Sequence, residues 1–415
     1  MRRVTSRREP SNLGRSPVSG GVCQLSLVEH ALCPLDRSKS LRDGLRHHSS
    51  FRYTDRQGER RTAKVRIDCA YGLSSSDEFY LWGLLALTLA KPDPSGDLYA
   101  TPHYCLRQLG VIDSASKGGR SYVLFRQAIE RLSGVNYRCD AFYDPLLKEH
   151  RRAAFGLLKY SLPRDPDSSR VWRIAWDPQF FEMARETSGR KWFDLQRYRR
   201  LDPATRRLWL LLSKVLWRRE TSHRFCVSSL AVETLGFAPS VPIRQLRAKV
   251  LRSADVLVEE GVLMPLGDAA CRFSKPTSKL FVEFRRGPAM NASTPLSRVE
   301  SPLRDPLLAL GFDDNGVRYV LRSFQEASIN RWVDVALMAK ETKPATFFKR
   351  NPAAYLIDNL KADANAGRTP PDWYVAAQKH ERDGPITRPR ERASLTRLAT
   401  PGESAESLVR RLLPR

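Results

Sequence analysis

The sequence lacks the residue spacings that metal and nucleotide chemistry needs. Its seven cysteines, at 23, 33, 69, 105, 139, 226 and 271, form no Cys-x-x-Cys pair and meet no histidine at zinc-ligand spacing, which excludes a zinc finger and fits a reduced, cytoplasmic compartment. There is no Gly-x4-Gly-Lys-Ser/Thr loop for nucleotide phosphates and no His-Glu-x-x-His metal motif, which excludes a P-loop ATPase and a zincin. The seven histidines are scattered, with His47 and His48 the one adjacent pair. The apolar stretch "FYLWGLLALTLA" at 79–90 is too short to cross a bilayer. Behind "MRRVTSRREP" there is no apolar run of the secretory kind. Acid is also scarce: 45 Asp and Glu stand against 70 Lys and Arg, a formal charge of +25, so a polyanion is the expected partner rather than a membrane.

With 415 residues and 41% apolar content the chain can build two or three cores. Residues 1–64 are rich in Arg, Ser and Gly, the composition of a basic, largely disordered arm. A first domain is expected over 65–186: a helix at 79–89 behind a Ser75/Glu78 capping box, a second at 101–111, a third at 120–132, then strands at 135–144, 155–162 and 170–176. Three helices followed by a hairpin with a basic tip, here 145–153, is the order of a winged helix.

That order recurs over 187–286. A long helix at 202–219 has Pro203 in its first turn, a short one at 228–237 ends on Gly236, and a third lies in "SVPIRQLRAKVLRSADVLVEEGVL", 240–263. A second wing is expected at 267–278. A Pro/Ser/Gly-rich linker, 287–303, leads to a small helical module, 304–364, and to an Arg/Pro-rich tail, 365–415, of disordered composition. The expected fold class is therefore mainly α with small β wings, an α+β chain.

The third helix of each domain carries the candidate readers. In the second, Leu246, Val250, Ala254 and Leu257 form a core stripe, and Arg244, Gln245, Lys249 and Arg252 face away from it. Cations lead this helix and acids end it, the reverse of what its dipole favours. DNA phosphates and base acceptors would supply the missing compensation, with arginine bidentate to guanine and Gln245 matched to adenine. In the first domain Arg120, Arg126, Gln127 and Arg131 face away from Phe125, Ala128, Ile129 and Leu132, and Lys117 precedes the helix. Arg151 and Arg152 at the expected wing tip, with Arg206 and Arg207 early in the long helix, are candidate phosphate contacts. Residues 190–252 hold 15 Lys and Arg against 4 Asp and Glu. Tyr198 stands among cations, as a strand-nicking tyrosine would, but no metal motif accompanies it.

Three blocks, "YGLSSSDEFYLWGLLALT", "GGRSYVLFRQAIERLSGVNY" and "RRLDPATRRLWLLLSKVLWRR", resemble in order and spacing the plasmid replication initiator protein A family. The likeness covers about residues 25–285, and "FFKRNPAAYLIDNLK" is similar to a helical block near the C-terminus of many plasmid initiators. It implies two winged-helix domains that bind repeated double-stranded origin sites, recruit the host initiator ATPase and replicative helicase, switch between homodimer and DNA-bound monomer, and need no cofactor. Two alternatives stand beside it. One is a transcriptional repressor on the same scaffold, the other a metal-dependent nicking enzyme.

Overall fold

The structure, a computed structural model, describes residues 20–91, 94–112, 119–163, 168, 170–267, 271–274, 278–291 and 301–383. The chain divides into two compact units, residues 1–162 with 169–322, and residues 163–168 with 323–415. Helices and short antiparallel sheets mix throughout the first, an α+β architecture.

The first unit starts with β1 (Gly20–Gln24), buried along its whole length, then α1 (Arg37–Ser40) and a long hairpin, β2 (Leu45–Thr54) and β3 (Arg60–Cys69). Residues 20–64 are thus regular structure and not a disordered arm. Their arginine-rich composition conceals a two-residue alternation that puts Leu45, Phe51, Ala63, Val65 and Ile67 into the core.

Next come α2 (Asp77–Leu89), β4 (Asp97–Ala100), α3 (Pro102–Gln108) and α4 (Gly119–Ser133). All residues of α2 are buried. Glu78 does not close a capping box; its carboxylate is buried and paired elsewhere. Thr101 caps α3 by accepting from the Tyr104 amide at 3.1 Å. Strands β5 (Val135–Asp144), β6 (Glu149–Gly156), β7 (Leu158–Ser161) and β8 (Trp172–Trp176) follow.

The second half of the unit holds α5 (Pro178–Arg185), β9 (Arg190–Asp194), α6 (Leu195–Arg200), α7 (Pro203–Val215), β10 (Phe225–Cys226) and α8 (Val227–Ser229), which runs into a π-helical turn, Leu230–Thr234. Then come α9 (Ile243–Glu259), β11 (Cys271–Ser274), β12 (Lys279–Val282), α10 (Arg304–Ala309) and α11 (Asp314–Ser323).

One order of elements occurs twice. In α2–β4–α3–α4–β7–β8 the sheet order is β4-β8-β7; in α7–β10–α8–α9–β11–β12 it is β10-β12-β11. Each sheet therefore has its last strand in the middle. The hairpin β5–β6 interrupts the first set and joins a different sheet, ordered β2-β3-β5-β6.

The expected boundary between residues 186 and 187 does not separate two cores. Strand β1 pairs with β9, Gly20 opposite Asp194 and Gln24 opposite Arg190. The Ala31 amide donates to the Glu233 carbonyl at 2.7 Å, and the Glu233 carboxylate accepts from the Ser50 amide at 2.7 Å. One continuous apolar cluster runs from Val22 to Met290. The N-terminal segment is the mortar, which sequence periodicity within either half could not reveal.

His30 lies in that segment, with Nε2 2.9 Å from the Tyr137 hydroxyl and Nδ1 3.3 Å from the Ala31 carbonyl. A carbonyl only accepts, so Nδ1 carries the proton and Nε2 accepts from the phenol. Burial pushes this imidazole down to about 3 and that of His47 down to about 4. The unfolded chain takes up these protons near the usual imidazole value while the fold refuses them, so the stability present above that value is lost as pH falls. Between about pH 7.5 and 5.5, His30 is expected to remove about 1.4 kcal/mol of unfolding free energy. Urea midpoints of wild type and His30→Gln check this, since the variant should lose less over the same interval.

The second unit holds α12 (Glu326–Thr342), α13 (Pro352–Ala366) and α14 (Asp372–Asp383). Trp332, Val333, Ala336, Leu337, Leu356 and Leu360 fill its core. Asn351 caps α13, and Gly367, at φ 62°, ends it. The expected tail from 365 thus contains a helix, anchored where the Tyr374 hydroxyl donates to Asp334 at 2.5 Å; residues 384–415 lie outside the described residues. The expected module 304–364 is divided as well. Helix α10 belongs to the first unit, with Leu307 buried and Asp305 3.4 Å from Arg107 of α3.

Candidate nucleic-acid interface

Helix α9 is positioned from three sides. Leu246, Val250, Ala254 and Leu257 are buried against the core. The turn before it leaves α8 and the π segment through Gly236 at φ 86°, where a Cβ would stand 2.3 Å from an Arg207 nitrogen and 2.9 Å from the Cys33 carbonyl. Its far end is held by α6 through ion pairs: Glu260 lies 3.2 Å from Arg197 and 3.8 Å from Arg200.

That contact explains half of the inverted charge pattern. Glu260 answers two arginines of a neighbouring helix, while the first turns have no acid and no side-chain cap. Arg244, Gln245, Lys249 and Arg252 are exposed, as is Arg247, which the sequence reading passed over although it lies one turn from Arg244. Among the described residues the three arginines make no ion pair. Lys249 sits 5.2 Å from the Phe237 ring centroid. Cations near a helix N-terminus cost about 0.3–1 kcal/mol each, and among the described residues no acid pairs with these arginines to offset it.

Helix α4 is different. Arg131 makes a double hydrogen bond to Asp77, both arms at 2.7 Å, and Asp77 is itself buried. Arg126 lies 3.4 Å from Glu130 on its own helix. Arg120 is exposed and Gln127 half-buried, and the exposed face between them carries Val123 and Leu124. Lys117 lies outside the described residues.

Two candidate phosphate contacts have protein partners instead. Arg207 is buried, donating to Glu78 at 2.5 and 3.0 Å and to the Leu235 carbonyl at 2.8 Å. Burial alone would lower its pKa, but the Glu78 carboxylate outweighs this and holds it above the usual guanidinium value. Arg206 donates to the carbonyls of Tyr198 and Arg199 at 2.7 and 2.5 Å, closing the end of α6. Amphipathic placement on α7 could not distinguish these from solvated arginines.

The expected wing tip at 145–153 is a tight hairpin in the four-stranded sheet, so Arg151 and Arg152 lie on β6. Arg151 is shared between Glu149 at 3.4 Å and Asp144 at 4.0 Å, whereas Arg152 is exposed. The expected wing at 267–278 contains β11, with 268–270 and 275–277 outside the described residues.

Tyr198 is fully buried between Phe193 and Trp209, its phenol pushed up by burial, out of reach of a phosphodiester. All seven cysteines are free, six of them buried. Among the described residues no three His, Cys, Asp or Glu gather as a metal-holding group, and no helix is long and apolar enough to cross a membrane.

No protein-family model matches the chain, and no curated protein matches it. Two solved structures are similar to it. A selenomethionine form of domains 2 and 3 of RctB shares 14% identity at a TM-score of 0.42, covering 63% of this chain and 98% of that one. A second structure of RctB domains 2–3 shares 14% identity at a TM-score of 0.39, covering 64% and 98%.

Proposed function

We propose that this protein is a replication initiator of a plasmid or plasmid-like replicon, a tandem winged-helix protein that reads repeated double-stranded origin sites through α9 and has no catalytic chemistry of its own. The observation that carries the reading is the exposed cationic face of α9, whose arginines make no ion pair among the described residues, while Glu260 at the other end is paired to α6. Such a helix, following a helix and a turn and followed by a β hairpin, fits the major groove, with the hairpin beside the flanking phosphates. The doubled order of elements supports the tandem arrangement. Recruitment of the host initiator ATPase and replicative helicase, and a homodimeric state, are proposals taken from the family resemblance.

Footprinting on direct repeats beside the gene tests this. Protection is expected to exceed one helical turn, roughly 10 base pairs, and to fall on each repeat. Equal protection of random duplex would overturn site recognition. A replicon that keeps its copy number after the gene is deleted would favour the repressor instead.

A further inference from the structure

The sheet β2-β3-β5-β6 has two unlike faces. Phe51, Val65, Ile67, Tyr137 and Phe155 alternate into the core. The other alternation of β2 exposes Arg46, His48 and Arg52. On β3 it holds Arg60, Lys64 and Arg66, and β5 and β6 add Arg138 and Arg152. Asp68 and Asp140 are the acids of this face; Asp68 is held by Arg66 at 2.9 Å, and Asp140 accepts from the Lys64 amide at 2.7 Å. Among the described residues the other cations of the face make no ion pair.

Their arrangement opposes folding. Arg66 stands directly opposite Arg138, and like charges in that position destabilise a sheet. Alternate residues along each strand are about 7 Å apart and neighbouring strands nearly 5 Å, so the charges form a two-dimensional grid. Apart from the His48 imidazole, the cationic alternation of β2 and β3 carries no aromatic side chain, the feature on which unpaired bases stack. Phosphate, rather than base, is the chemistry it suits.

The basic surface also runs on toward the segment after α7. The His223 imidazole is lowered first by burial and then by Arg60 of β3 and Arg219, so both cations lie near that ring.

We infer that the outer face of this sheet is a second phosphate-binding surface, which holds duplex DNA flanking the stretch engaged by α9. It rests on the duplex reading of α9. Charge complementarity selects a polyanion, and the lack of stacking aromatics selects duplex over single strand.

The test uses the full chain carrying Arg46→Gln, Lys64→Gln and Arg138→Gln together, beside Arg138→Gln alone. Binding is measured by anisotropy against salt on a duplex limited to one repeat and on a longer one with flanks. On the long duplex the slope of log affinity against log salt should become shallower by roughly 2–3 for the triple variant and by about 0.9 for the single one, the value per phosphate contact. On the short duplex both slopes should match wild type, as should the ratio of specific to random affinity. Unchanged slope and footprint length on the long duplex would sink the sheet assignment and leave α9 standing. Failure of the wild type to bind either duplex would sink both. A single strand of equal length that displaces the flanks better than duplex would overturn the choice of occupant.

Discussion

Arg207→Leu is expected to lower the unfolding free energy by about 3–5 kcal/mol, the range for removing one member of a buried ion pair. Arg207 and Glu78 are both 5% exposed, and the guanidinium is the carboxylate's one ion-pair partner among the described residues. Without it, Glu78 would be a bare charge in the core, or would take up a proton and lose its hydrogen bonds. A loss of that size is a large share of the 5–15 kcal/mol that holds most native domains together. The same side chain spans to Leu235 and Cys33, so the damage should spread to the π turn ahead of α9. Urea unfolding followed with tryptophan fluorescence measures the effect. Glu78→Gln combined with Arg207→Leu should recover part of the loss, because the pair is coupled. A single variant that loses less than about 1 kcal/mol would mean that water reaches the pair, against its burial here.

Arg244→Ala with Arg252→Ala is expected to erode discrimination between origin and random duplex by about 2–6 kcal/mol, or at least roughly 30-fold, if each arginine makes one bidentate base contact. The two lie eight residues apart on α9, about 12 Å along the axis, far enough for their effects to add. Neither packs into the core, so thermal unfolding should hardly change. The ratio of dissociation constants at fixed salt separates this from a general charge effect. If both constants rise by one factor, α9 meets phosphates alone and the bases are read elsewhere.

What could be read from the sequence was local. The 3.6-residue stripes placed α4 within a residue of its observed span and put α9 inside the expected stretch 240–263. A charge, in contrast, takes its role from a partner that local pattern does not name. Arg131 and Arg207 look solvated on their own helices, and only contacts 54 and 129 residues away make them structural. Glu78 was visible in the sequence, but as part of a helix start rather than as the other end of the Arg207 pair.

The hairpin expected after α4 has its second strand displaced: the expected strand at 155–162 is mostly β7, and the observed partner of β5 is β6, Glu149–Gly156, much of which was expected as the tip. Strand membership is decided by β3, across the register Val65 opposite Cys139, while β7 and β8 complete the set that begins with α2. Composition misled most at residues 20–64. An arginine-rich segment resembles a mobile arm, yet the alternation in "LRHHSSFRYT" and "RRTAKVRIDC" was available and also separates the buried face from the cationic one.

The pairing of β1 with β9 also sets the timing of folding. The first described strand has no partner strand until residues 190–194 have been made, so a nascent chain must hold the hydrogen-bonding edge beside Val22 unpaired through nearly half of synthesis. Closing so long a loop is slow, and the wholly apolar α2 stays at risk of aggregation meanwhile. Fragments cut between the two sets of elements would inherit that exposed state permanently, and an expression host rich in chaperones should raise the soluble yield of the whole chain far more than that of either half.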